Sequence, residues 1–282
     1  MTTPVIGLLT DFGEKDYFVA AMKAVILSIN PEVAIIDIAH SIPAFDLRAA
    51  AFTLWAVADF FPAVAIFVVV VDPQVGSARK IMVARGAKHF FIGPDNGVLS
   101  PALEKEGCLE ARELRERTLF LPQVSSTFEG RDKMAPAAAW ISRGIPFRQV
   151  GPVLRSWERI IFPQPGIFKD RIEAEILHVD RFGNLITNVS GEKFLKWYGG
   201  KKGQPLAVVT DEVDFEAKIA TTFAGGPAEK PLLIVGSSGY LEIAYQQASA
   251  SQKLKCKAGD KLVISRGKRQ KEAEKGKFSG RN

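Results

Sequence analysis

Acidic residues follow three short apolar runs in the first hundred residues of this chain, at Asp11, Asp72 and Asp95. The apolar runs are Val5–Leu9, Ala65–Val71 and Phe90–Ile92. Ligands of open parallel sheets bind outside the carboxyl ends of the strands, so side chains at equivalent strand ends would line one crevice. A single aspartate there often only caps a helix or begins a turn, and Asp95 is open to that interpretation. For Asp11 and Asp72 we favour a functional role.

Arg79 follows Asp72 by seven residues, beyond a turn that contains Gly76. Such a turn could fold the guanidinium back toward the carboxylate, and an Asp–Arg pair can orient a water molecule and stabilise developing hydroxide. The alternative is a surface salt bridge of little energetic value. His40 also follows an apolar run, and it could either line the crevice or be a hydrogen-bonded structural histidine.

Several common site types are disfavoured by the sequence. The three histidines, His40, His89 and His178, are scattered, and Cys108 and Cys256 are not spaced as metal ligands or as a disulfide pair, so we expect no metal and no cofactor. No GxGxxG or Walker motif follows a strand, which disfavours dinucleotide and nucleoside triphosphate sites. The GxSxG elbow of serine hydrolases is also missing.

The composition is that of a globular protein, with 282 residues of which 47% are apolar, and a formal charge of +6. Much of this charge lies in the terminal segment 268–282, where basic and acidic residues mix with Gly and Ser, a pattern typical of a disordered, solvated tail. The apolar runs are too short to cross a bilayer. We therefore expect a cytoplasmic protein with neither a nucleic acid nor a membrane as its partner.

The first half of the chain alternates strand and helix patterns, which predicts an α/β domain over residues 1–150 with a doubly wound, mostly parallel sheet. The strand runs are nearly continuously apolar, as in strands covered on both faces. The predicted strands are Val5–Leu9, Val33–Ile38, Ala65–Val71, Ile81–Ala84 and Phe90–Ile92. The predicted helices are Phe18–Ile29, Leu47–Phe61 and Ala135–Ser142.

A Pro-rich linker is predicted at residues 151–170, followed at 171–267 by short strands separated by Gly, Asn and Asp turns. Regular short strands of this kind favour a small antiparallel β-barrel. The predicted strands are Ile172–Val179, Leu185–Val189, Leu206–Val209, Leu232–Val235, Tyr240–Ala244 and Lys261–Ile264.

Over residues 5–266 the chain resembles the S-adenosylmethionine hydroxide adenosyltransferase family, hydrolases that are related to fluorinase and chlorinase. The resemblance is carried by Leu-Leu-Thr-Asp-Phe-Gly at 8–13 with Asp16, Asp-Ile-Ala-His at 37–40, Val-Val-Asp-Pro at 70–73 through Arg79, Pro-Asp-Asn-Gly at 94–97, Gly-Arg-Asp at 130–132, Asp-Arg-Phe-Gly-Asn at 180–184 and Gly-Ser-Ser-Gly-Tyr-Leu-Glu-Ile-Ala at 236–244.

This resemblance implies an α/β domain followed by a β-barrel, and a homotrimer whose active sites lie between one subunit's first domain and the next subunit's barrel. It also implies a reaction in which water attacks the 5′ carbon of S-adenosylmethionine and releases adenosine and L-methionine. A sulfonium is already a good leaving group, so the main tasks are to hold water in line and to help remove its proton.

The resemblance also implies a role for each matching residue. Asp72 and Arg79 would position and activate the water. Asp11 would bind the ribose hydroxyls, Phe45 would cover the nucleoside, and Phe182 and Asn184 would recognise adenine. Asp16 and Asp180 would bind the methionine ammonium, and Ser237 and Ser238 would bind the methionine carboxylate.

Two positions depart from the pattern. Glu129 stands where the hydrolases have a histidine before Gly-Arg-Asp, and Gln74 stands where a glycine is expected after Pro73. Glu129 could still accept a proton, although a second acid near Asp72 raises the pKa of one of the two unless Arg79 compensates. We favour a hydrolase with Asp72, Arg79 and Glu129 as its catalytic residues. A non-catalytic S-adenosylmethionine or adenosine binder is the alternative.

A halogenase is less favoured than either. Glu129 would repel a halide, Gly130 replaces the halide-binding serine, and the extra loop of halogenases is absent between Arg85 and Phe90.

Overall fold

The computed structural model describes residues 3–199, 205–225 and 229–266. It divides into two compact units, one ending at Ile161 and the other beginning at Phe162. The predicted tail at 268–282 lies outside the described residues. None of the helices in the described ranges combines the length and apolar character that a membrane-spanning helix needs.

The first unit contains a six-stranded sheet. Its strands are β1 (Val5–Thr10), β2 (Ala34–Ala39), β3 (Ile66–Val70), β4 (Ile81–Gly86), β5 (Phe90–Pro94) and β6 (Cys108–Glu113). Their order across the sheet is β2-β1-β3-β5-β4-β6, and the first four in this order are mutually parallel while β4 is antiparallel to both β5 and β6. The predicted mostly parallel α/β sheet is confirmed.

Helices cover both faces of this sheet. They are α1 (Phe18–Ile29), α2 (Leu47–Val57), α3 (Ser100–Glu106) and α4 (Ala135–Ser142). Helix α1 packs against α4, and α2 packs against α3. Alternate residues of β3 point to opposite faces of the sheet. Val68 belongs to the core that contains residues of α1 and α4, whereas Phe67 stacks on Phe91. Burial on both faces explains why these strands read as continuous apolar runs.

Two strands differ from the pattern read in the sequence. The edge strand β2 is mostly not buried, and its Ile36 is 42% exposed. An apolar run therefore does not by itself place a strand inside a sheet. The opposite edge strand, β6, was not predicted, because its sequence Cys-Leu-Glu-Ala-Arg-Glu is half charged, as edge strands often are.

The second unit is a closed barrel of seven strands. After the short strand β7 (Gly166–Ile167), which pairs only with β8, the barrel strands are β8 (Arg171–Val179), β9 (Leu185–Ser190), β10 (Leu206–Thr210), β11 (Asp214–Ile219), β12 (Leu232–Val235), β13 (Tyr240–Ala244) and β14 (Lys261–Arg266). The cyclic order is β8-β14-β10-β11-β12-β13-β9, and β9 closes the barrel on β8. The predicted barrel is confirmed.

The barrel pairings are antiparallel except that β11 and β12 are parallel. Strand β11 was not predicted, because Asp-Phe-Glu-Ala-Lys-Ile has charged residues at every second position. The barrel interior is filled by alternate strand residues such as Ile176, Leu241 and Ile243. Two short helices, α5 (Gly191–Tyr198) and α6 (Ala250–Leu254), complete the unit, and Phe194 of α5 joins the same core.

Candidate active site

The three aspartates found in the sequence follow three neighbouring parallel strands. Asp11 follows β1, Asp72 lies two residues beyond β3, and Asp95 follows β5, and these strands are adjacent in the order β1-β3-β5. Parallel strands bring their carboxyl ends to one edge of the sheet. The aspartates therefore lie along a single edge of the first unit.

The loop after β3 returns Arg79 to Asp72. The Asp72 Oδ1 accepts the Gln74 backbone N–H at 3.1 Å, and the Arg79 backbone N–H donates to Ser77 Oγ at 3.2 Å. Gly76 has a φ of 79°, and a Cβ there would lie 2.6 Å from the Ser126 carbonyl oxygen, so this turn requires glycine. Gln74 takes part only through its backbone in these contacts, which is why the loop forms without the expected glycine at 74.

The Arg79 guanidinium lies between two carboxylates. Its Nη2 forms ion pairs with Asp72 Oδ2 and with Glu129 Oε2, the latter at 2.6 Å, and its Nη1 donates to the Lys80 carbonyl. The side chains of Asp72 and Arg79 are each 4% exposed, and that of Glu129 is 9% exposed. This is a buried ion-pair network, and not the weak surface salt bridge that was the alternative.

Lys133 completes the network from the other side of Glu129. Its Nζ donates to Glu129 Oε1, so each carboxylate oxygen of Glu129 is held by a different cation. The network of Asp72, Arg79, Glu129 and Lys133 contains two acids and two bases, and its formal charge is zero. Such balance is what a buried set of charges needs to be tolerated.

Asp72 differs from Glu129 in that only one cation, Arg79, contacts its carboxylate. Its Oδ2 is buried in the ion pair with Arg79 Nη2, and no other donor from the described residues reaches this oxygen. Burial raises the pKa of Asp72, the positive charge of Arg79 and the Gln74 N–H oppose this, and the negative charge of Glu129 raises the pKa further. The net direction is upward. Asp72 is therefore a stronger proton acceptor than an ordinary aspartate.

Glu129 is positioned by a π-helical turn, Gly130–Met134, that leads directly into α4. Gly130 packs on β3: a Cβ at this position would lie 3.1 and 3.3 Å from the two methyl groups of Val70. The next residues fix the preceding loop, because the fully buried Asp132 accepts two bonds from Arg131 and one from the Ser125 backbone. Close packing and these bonds hold Glu129 against Arg79.

Asp11 is linked to Phe45 at the same edge. The Phe45 backbone N–H donates to Asp11 Oδ2 at 2.9 Å. Phe45 has a φ of 67°, which is strained for a non-glycine residue, and its side chain is 65% exposed. An exposed aromatic ring on a strained backbone beside a carboxylate is the kind of outlier that points to a ligand site. Asp16 is exposed in the segment between β1 and α1.

His40 and Asp95, which also follow strands of this sheet, have structural roles. The His40 ring lies between Thr10 Oγ1 at 3.0 Å and Asp37 Oδ1 at 2.9 Å and is buried, so it is a hydrogen-bonded structural histidine. Burial works to raise the pKa of Asp37, but hydrogen bonds from His40 and Lys23 outweigh it and the pKa is lowered. Asp95 Oδ1 accepts the Glu158 backbone N–H at 2.9 Å and so anchors the segment that leaves the first unit.

An open cleft of about 1150 Å³ lies at this edge of the first unit. The loop Pro73–Lys80, the pair Asp95–Asn96 and the segment Ser156–Glu158 all contribute to its walls, and Arg79 is among the residues that line it. The cleft is therefore at the carboxyl ends of β3 and β5, where ligands of parallel sheets bind. The described residues contain no cluster of three or more His, Cys, Asp or Glu side chains suited to a metal ion.

The barrel holds the remaining predicted residues in two turns. In the β8–β9 turn, Asp180 Oδ1 accepts the backbone N–H groups of Phe182 and Asn184, and Oδ2 accepts Asn184 Nδ2 at 2.8 Å. Asn184 is buried and Phe182 is 77% exposed. In the β12–β13 turn, Ser237 is exposed, whereas the Oγ of Ser238 is buried and has no hydrogen-bond partner among the described residues.

The structure draws attention to two polar residues that had no assigned role, Lys133, which lies outside the sequence motifs, and Glu242, which lies within the motif at 236–244. The spacing of four between Glu129 and Lys133 is the ordinary spacing of a helical ion pair and was available as a signal. Glu242 is a lone charge within the apolar run of β13 and is only 6% exposed. A charged residue inside an otherwise apolar strand is itself a signal, because burial of a charge needs a partner.

Fold and site together define a two-unit protein, with a mostly parallel α/β unit that bears a buried Asp–Arg–Glu–Lys network and a unit that is a seven-stranded barrel. Residues 6–151 match the SAM hydroxide adenosyltransferase N-terminal domain, and residues 174–263 match the C-terminal domain. The chain belongs to the S-adenosylmethionine hydroxide adenosyltransferase family, as its sequence motifs predicted.

Named relatives include two kinds of enzyme. The chain is 33% identical to an (R)-S-adenosyl-L-methionine hydrolase of Salinispora tropica, over 94% of this chain and 99% of the relative, and 33% identical to one of Thermus thermophilus, over 90% and 96%. It is 27% identical to a fluorinase of an Actinoplanes species, over 93% and 98%.

Two solved structures are similar over their full length. One is an uncharacterized conserved protein from Thermotoga maritima, with a TM-score of 0.88 and 38% identity, and the other is a conserved hypothetical protein from Thermus thermophilus, with a TM-score of 0.73 and 32% identity. The alignments cover 93% of this chain and 100% of each of those chains.

Proposed function

We propose that the protein hydrolyses S-adenosyl-L-methionine to adenosine and L-methionine by in-line attack of water on the ribose 5′ carbon. The observation that carries the proposal is the buried Oδ2 of Asp72, whose single contact with a donor among the described residues is the ion pair with the Arg79 guanidinium. Family membership and the relatives named as S-adenosyl-L-methionine hydrolases support the choice of substrate.

In the proposed reaction the water oxygen forms a bond to C5′ while the carbon–sulfur bond breaks. The bonding electron pair goes to sulfur, which becomes the neutral thioether of methionine. Asp72 Oδ2 accepts a proton from the water as its oxygen gains positive charge, and later releases this proton to solvent. Arg79 holds the Asp72 carboxylate in place through Oδ2, and the remaining lone pair of this oxygen would accept the proton of the water.

Glu129 acts in this scheme through Arg79 and not on the water. Arg79 and Lys133 occupy both of its oxygens, so neither is left to accept a proton. It is better described as a positioning residue, which fixes the guanidinium and keeps the network neutral. Its negative charge also helps to raise the pKa of Asp72. A carboxylate in the histidine position is therefore compatible with water activation by Asp72.

The binding roles follow from chemistry and from the family's motifs. Asp11 would accept the ribose hydroxyls with its remaining lone pairs, next to the exposed ring of Phe45. Phe182, with its exposed ring, would cover adenine next to Asn184. Asp16 and Asp180 would bind the methionine ammonium, and Ser237 and Ser238 the methionine carboxylate. No cofactor is required for this chemistry.

A halogenase would need a halide near Glu129, where a fixed negative charge repels it. Gly130 also leaves little space for the serine that halogenases have there, because a Cβ at this position would already lie within 3.3 Å of both methyl groups of Val70. The chain turns directly from β4 into β5, with the Gly86 N–H bonded to the His89 carbonyl. Water is therefore the nucleophile that fits this site best.

The proposal is tested by incubating purified protein with S-adenosylmethionine and measuring adenosine and L-methionine by chromatography. Asp72→Asn is expected to lower kcat by at least about 100-fold, within the range for loss of a general base, and to change KM much less. Asp95→Asn is the matched control at the next strand end: Asp95 also lines the cleft, but its Oδ1 accepts the Glu158 backbone N–H, a bond that asparagine can keep, so the variant should retain near wild-type turnover.

Failure to form adenosine while calorimetry shows tight binding of S-adenosylmethionine would overturn the hydrolase proposal in favour of a non-catalytic binder. Unchanged turnover in Asp72→Asn would remove Asp72 from the mechanism.

We propose further that the protein is a homotrimer and that each active site combines the first domain of one subunit with the barrel of the next. Large exposed aromatic residues in both units support a partner surface: Tyr17, Phe45, Phe60 and Phe182 are 64%, 65%, 79% and 77% exposed. The cytoplasm is the compartment in which we expect it to act.

A further inference from the structure

The turn that carries Asp11 is held on both sides by His40. The His40 ring contacts Thr10 Oγ1 at 3.0 Å, and the His40 backbone carbonyl accepts the Gly13 N–H at 2.7 Å. Thr10 Oγ1 also accepts the Phe12 N–H at 3.3 Å. Asp11 lies between the residues that make these contacts. A single histidine therefore fixes the backbone on each side of this carboxylate.

A bulge in β2 lies just before His40. Strands β1 and β2 pair in register as far as Asp37, and the register then shifts so that Ile38 is an extra residue in β2. Bulges change the direction of nearby side chains and are frequent beside active sites. His40 is the second residue beyond the bulge, and its ring turns back so that Nε2 lies 2.9 Å from Asp37 Oδ1.

The direction of the hydrogen bonds through His40 follows from their end groups. Although burial raises the pKa of Asp37, hydrogen bonds from His40 and Lys23 lower it below its ordinary value, so Asp37 is ionised and can only accept. His40 Nε2 therefore donates to Asp37. At the other end, Thr10 is fully buried, so its hydroxyl proton needs an acceptor, and His40 Nδ1 provides one.

These bonds form one chain with a single direction, from the Phe12 N–H through Thr10 and His40 to the carboxylate of Asp37. Successive hydrogen bonds of the same direction strengthen one another. Lys23 of α1 holds the far end, because its Nζ donates to Asp37 Oδ2 at 2.5 Å. The chain thus connects a half-exposed ion pair with the buried start of the Asp11 turn.

The set of Thr10, His40 and Asp37 has the chemical composition of a nucleophilic triad, but its position excludes that role. A nucleophile must reach the substrate, and Thr10 is fully buried at the end of β1. The residue in this part of the chain that can contact a ligand is Asp11, whose Oδ2 is already oriented by the Phe45 N–H. Thr10 and His40 therefore act through Asp11.

We propose that His40 and Thr10 are positioning residues for Asp11, and that the bond between them sets the selectivity of the site for a nucleoside that keeps its ribose hydroxyls. This inference rests on the proposed function for the role of Asp11. Binding groups need to be held within roughly 0.5 Å of their productive position. A loosened turn should therefore weaken the bonds to the hydroxyls more than the contacts with the nucleobase.

The test measures the affinities of adenosine and of 2′-deoxyadenosine for the full chain by calorimetry. The wild-type protein is expected to bind adenosine at least about tenfold more tightly, because the deoxy analogue loses a hydrogen bond to a charged group. Thr10→Val replaces the hydroxyl by a methyl group of similar size and should lower this ratio at least about threefold. Thr10→Ser keeps the hydroxyl and should restore the ratio.

Two substitutions of His40 separate its two side-chain bonds. Glutamine places its amide near the position of Nε2 and can keep the bond to Asp37, whereas asparagine places its amide near Nδ1 and can keep the bond to Thr10. His40→Gln should therefore lower the ratio as Thr10→Val does, and His40→Asn should retain more of it. The matched control is Thr53→Val, which removes a hydroxyl that bonds only within α2 and should leave both affinities unchanged.

Thr10→Val and His40→Gln break the same bond from opposite ends, so either folded variant decides the question. A ratio that stays at the wild-type value, with both affinities lowered equally or not at all, would overturn the inference, because the two residues would then support the fold and not the turn. A wild-type protein that does not prefer adenosine would overturn it as well, since Asp11 would then have no hydroxyl to bind.

The outcomes also separate this inference from the proposed function. In hydrolysis of S-adenosylmethionine, Thr10→Val should raise KM more than it lowers kcat, because the ribose is bound alike before and during the reaction. A lowered ratio in Thr10→Val, in a protein that never releases adenosine from S-adenosylmethionine, would support the inference and reject hydrolysis. Hydrolysis with an unchanged KM in this variant would support the proposed function and reject the inference.

Discussion

Two carboxylates share one guanidinium in the first unit, and their surroundings give them different tasks. Asp72 has a raised pKa and a buried oxygen that only Arg79 contacts, whereas the two oxygens of Glu129 are held by two different cations, Arg79 and Lys133. Environments that separate two acids in this way are a common means of dividing acid–base roles in enzymes. At the scale of the residue, the difference between Asp72 and Glu129 is therefore one of hydrogen bonding and not of residue type.

The charge of Glu129 should be visible in the pH dependence of the reaction. Asp72 must be ionised to accept a proton, so kcat/KM is expected to fall as the pH drops through its pKa. Glu129 raises that pKa, so Glu129→Gln removes a negative charge and should lower it, which moves the acid limb of the pH–rate profile to lower pH. The measurement is kcat/KM for S-adenosylmethionine across the acid range.

Glu104→Gln, a half-exposed glutamate of α3, is the control and should leave the acid limb in place. If Glu129→Gln is unstable because Lys133 loses its partner, Glu129→Gln combined with Lys133→Met removes both charges of that pair. An acid limb that stays fixed or moves to higher pH in a folded Glu129→Gln variant would show that Asp72 is not the titrating base.

Part of this site could be predicted from the sequence. Asp11 and Asp72 stood out because they follow strands that are buried on both faces, and the ends of such strands are clearly marked by the end of an apolar run. The same pattern also marked Asp95, which was left open to a structural interpretation, and the sequence could not identify its partner because Glu158 is 63 residues away in the chain. Lys133 and Glu242 offered local signals, but the groups that each one contacts are visible only in the structure.

At the scale of elements, the loop between β2 and α2 is held at two adjacent residues just before the helix. Phe45 donates its N–H to Asp11, and the next residue, Asp46, caps α2 by accepting the Ala49 N–H at 2.9 Å. Between these two bonds the chain passes through a left-handed conformation at Phe45. We infer that the two bonds impose the strain and that the exposed position of the ring follows from it.

Replacing Phe45 by glycine and by alanine separates this strain from the ring. Both variants lose the ring, so KM for S-adenosylmethionine should rise in both. Glycine tolerates a φ of 67° and alanine does not, so Phe45→Gly should be more stable than Phe45→Ala by about 1 kcal/mol in chemical denaturation. This order reverses the one usual for exposed positions, and an alanine variant of equal or greater stability would contradict a strained loop.

The sequence predicted helices and strands best where an element is buried on both of its faces. Helix α4 begins and ends at the predicted residues, and the five predicted strand runs of the first unit are strands, four of them buried and the fifth the more exposed edge strand β2. The elements that were missed, β6 and β11, have a charged residue at nearly every second position, so only one face of each carries an apolar signal. Such strands are specified by their pairing with β4 and with β10, which no local pattern records.

At the scale of the whole molecule, each unit carries its own half of the proposed chemistry. In the proposed function, Asp72 and Arg79 of the first unit would act on the water, and Asp180 of the barrel would bind the amino acid. In the proposed homotrimer these halves come from different subunits. Two inactive variants, one altered in each unit, should then restore activity when they assemble together.

Co-expression of equal amounts of Asp72→Asn and Asp180→Asn chains tests this arrangement. With random assembly, a site that pairs two subunits is intact in both halves with a probability of ½ × ½, so about one quarter of wild-type activity should return, compared with almost none for either variant alone. As a control, a chain with both substitutions is co-expressed with wild-type chains. Sites shared between subunits again give about one quarter, whereas sites within one subunit give about one half. Recovery in the control at one half, together with no recovery in the first mixture, would place each active site within a single chain and reject the shared site.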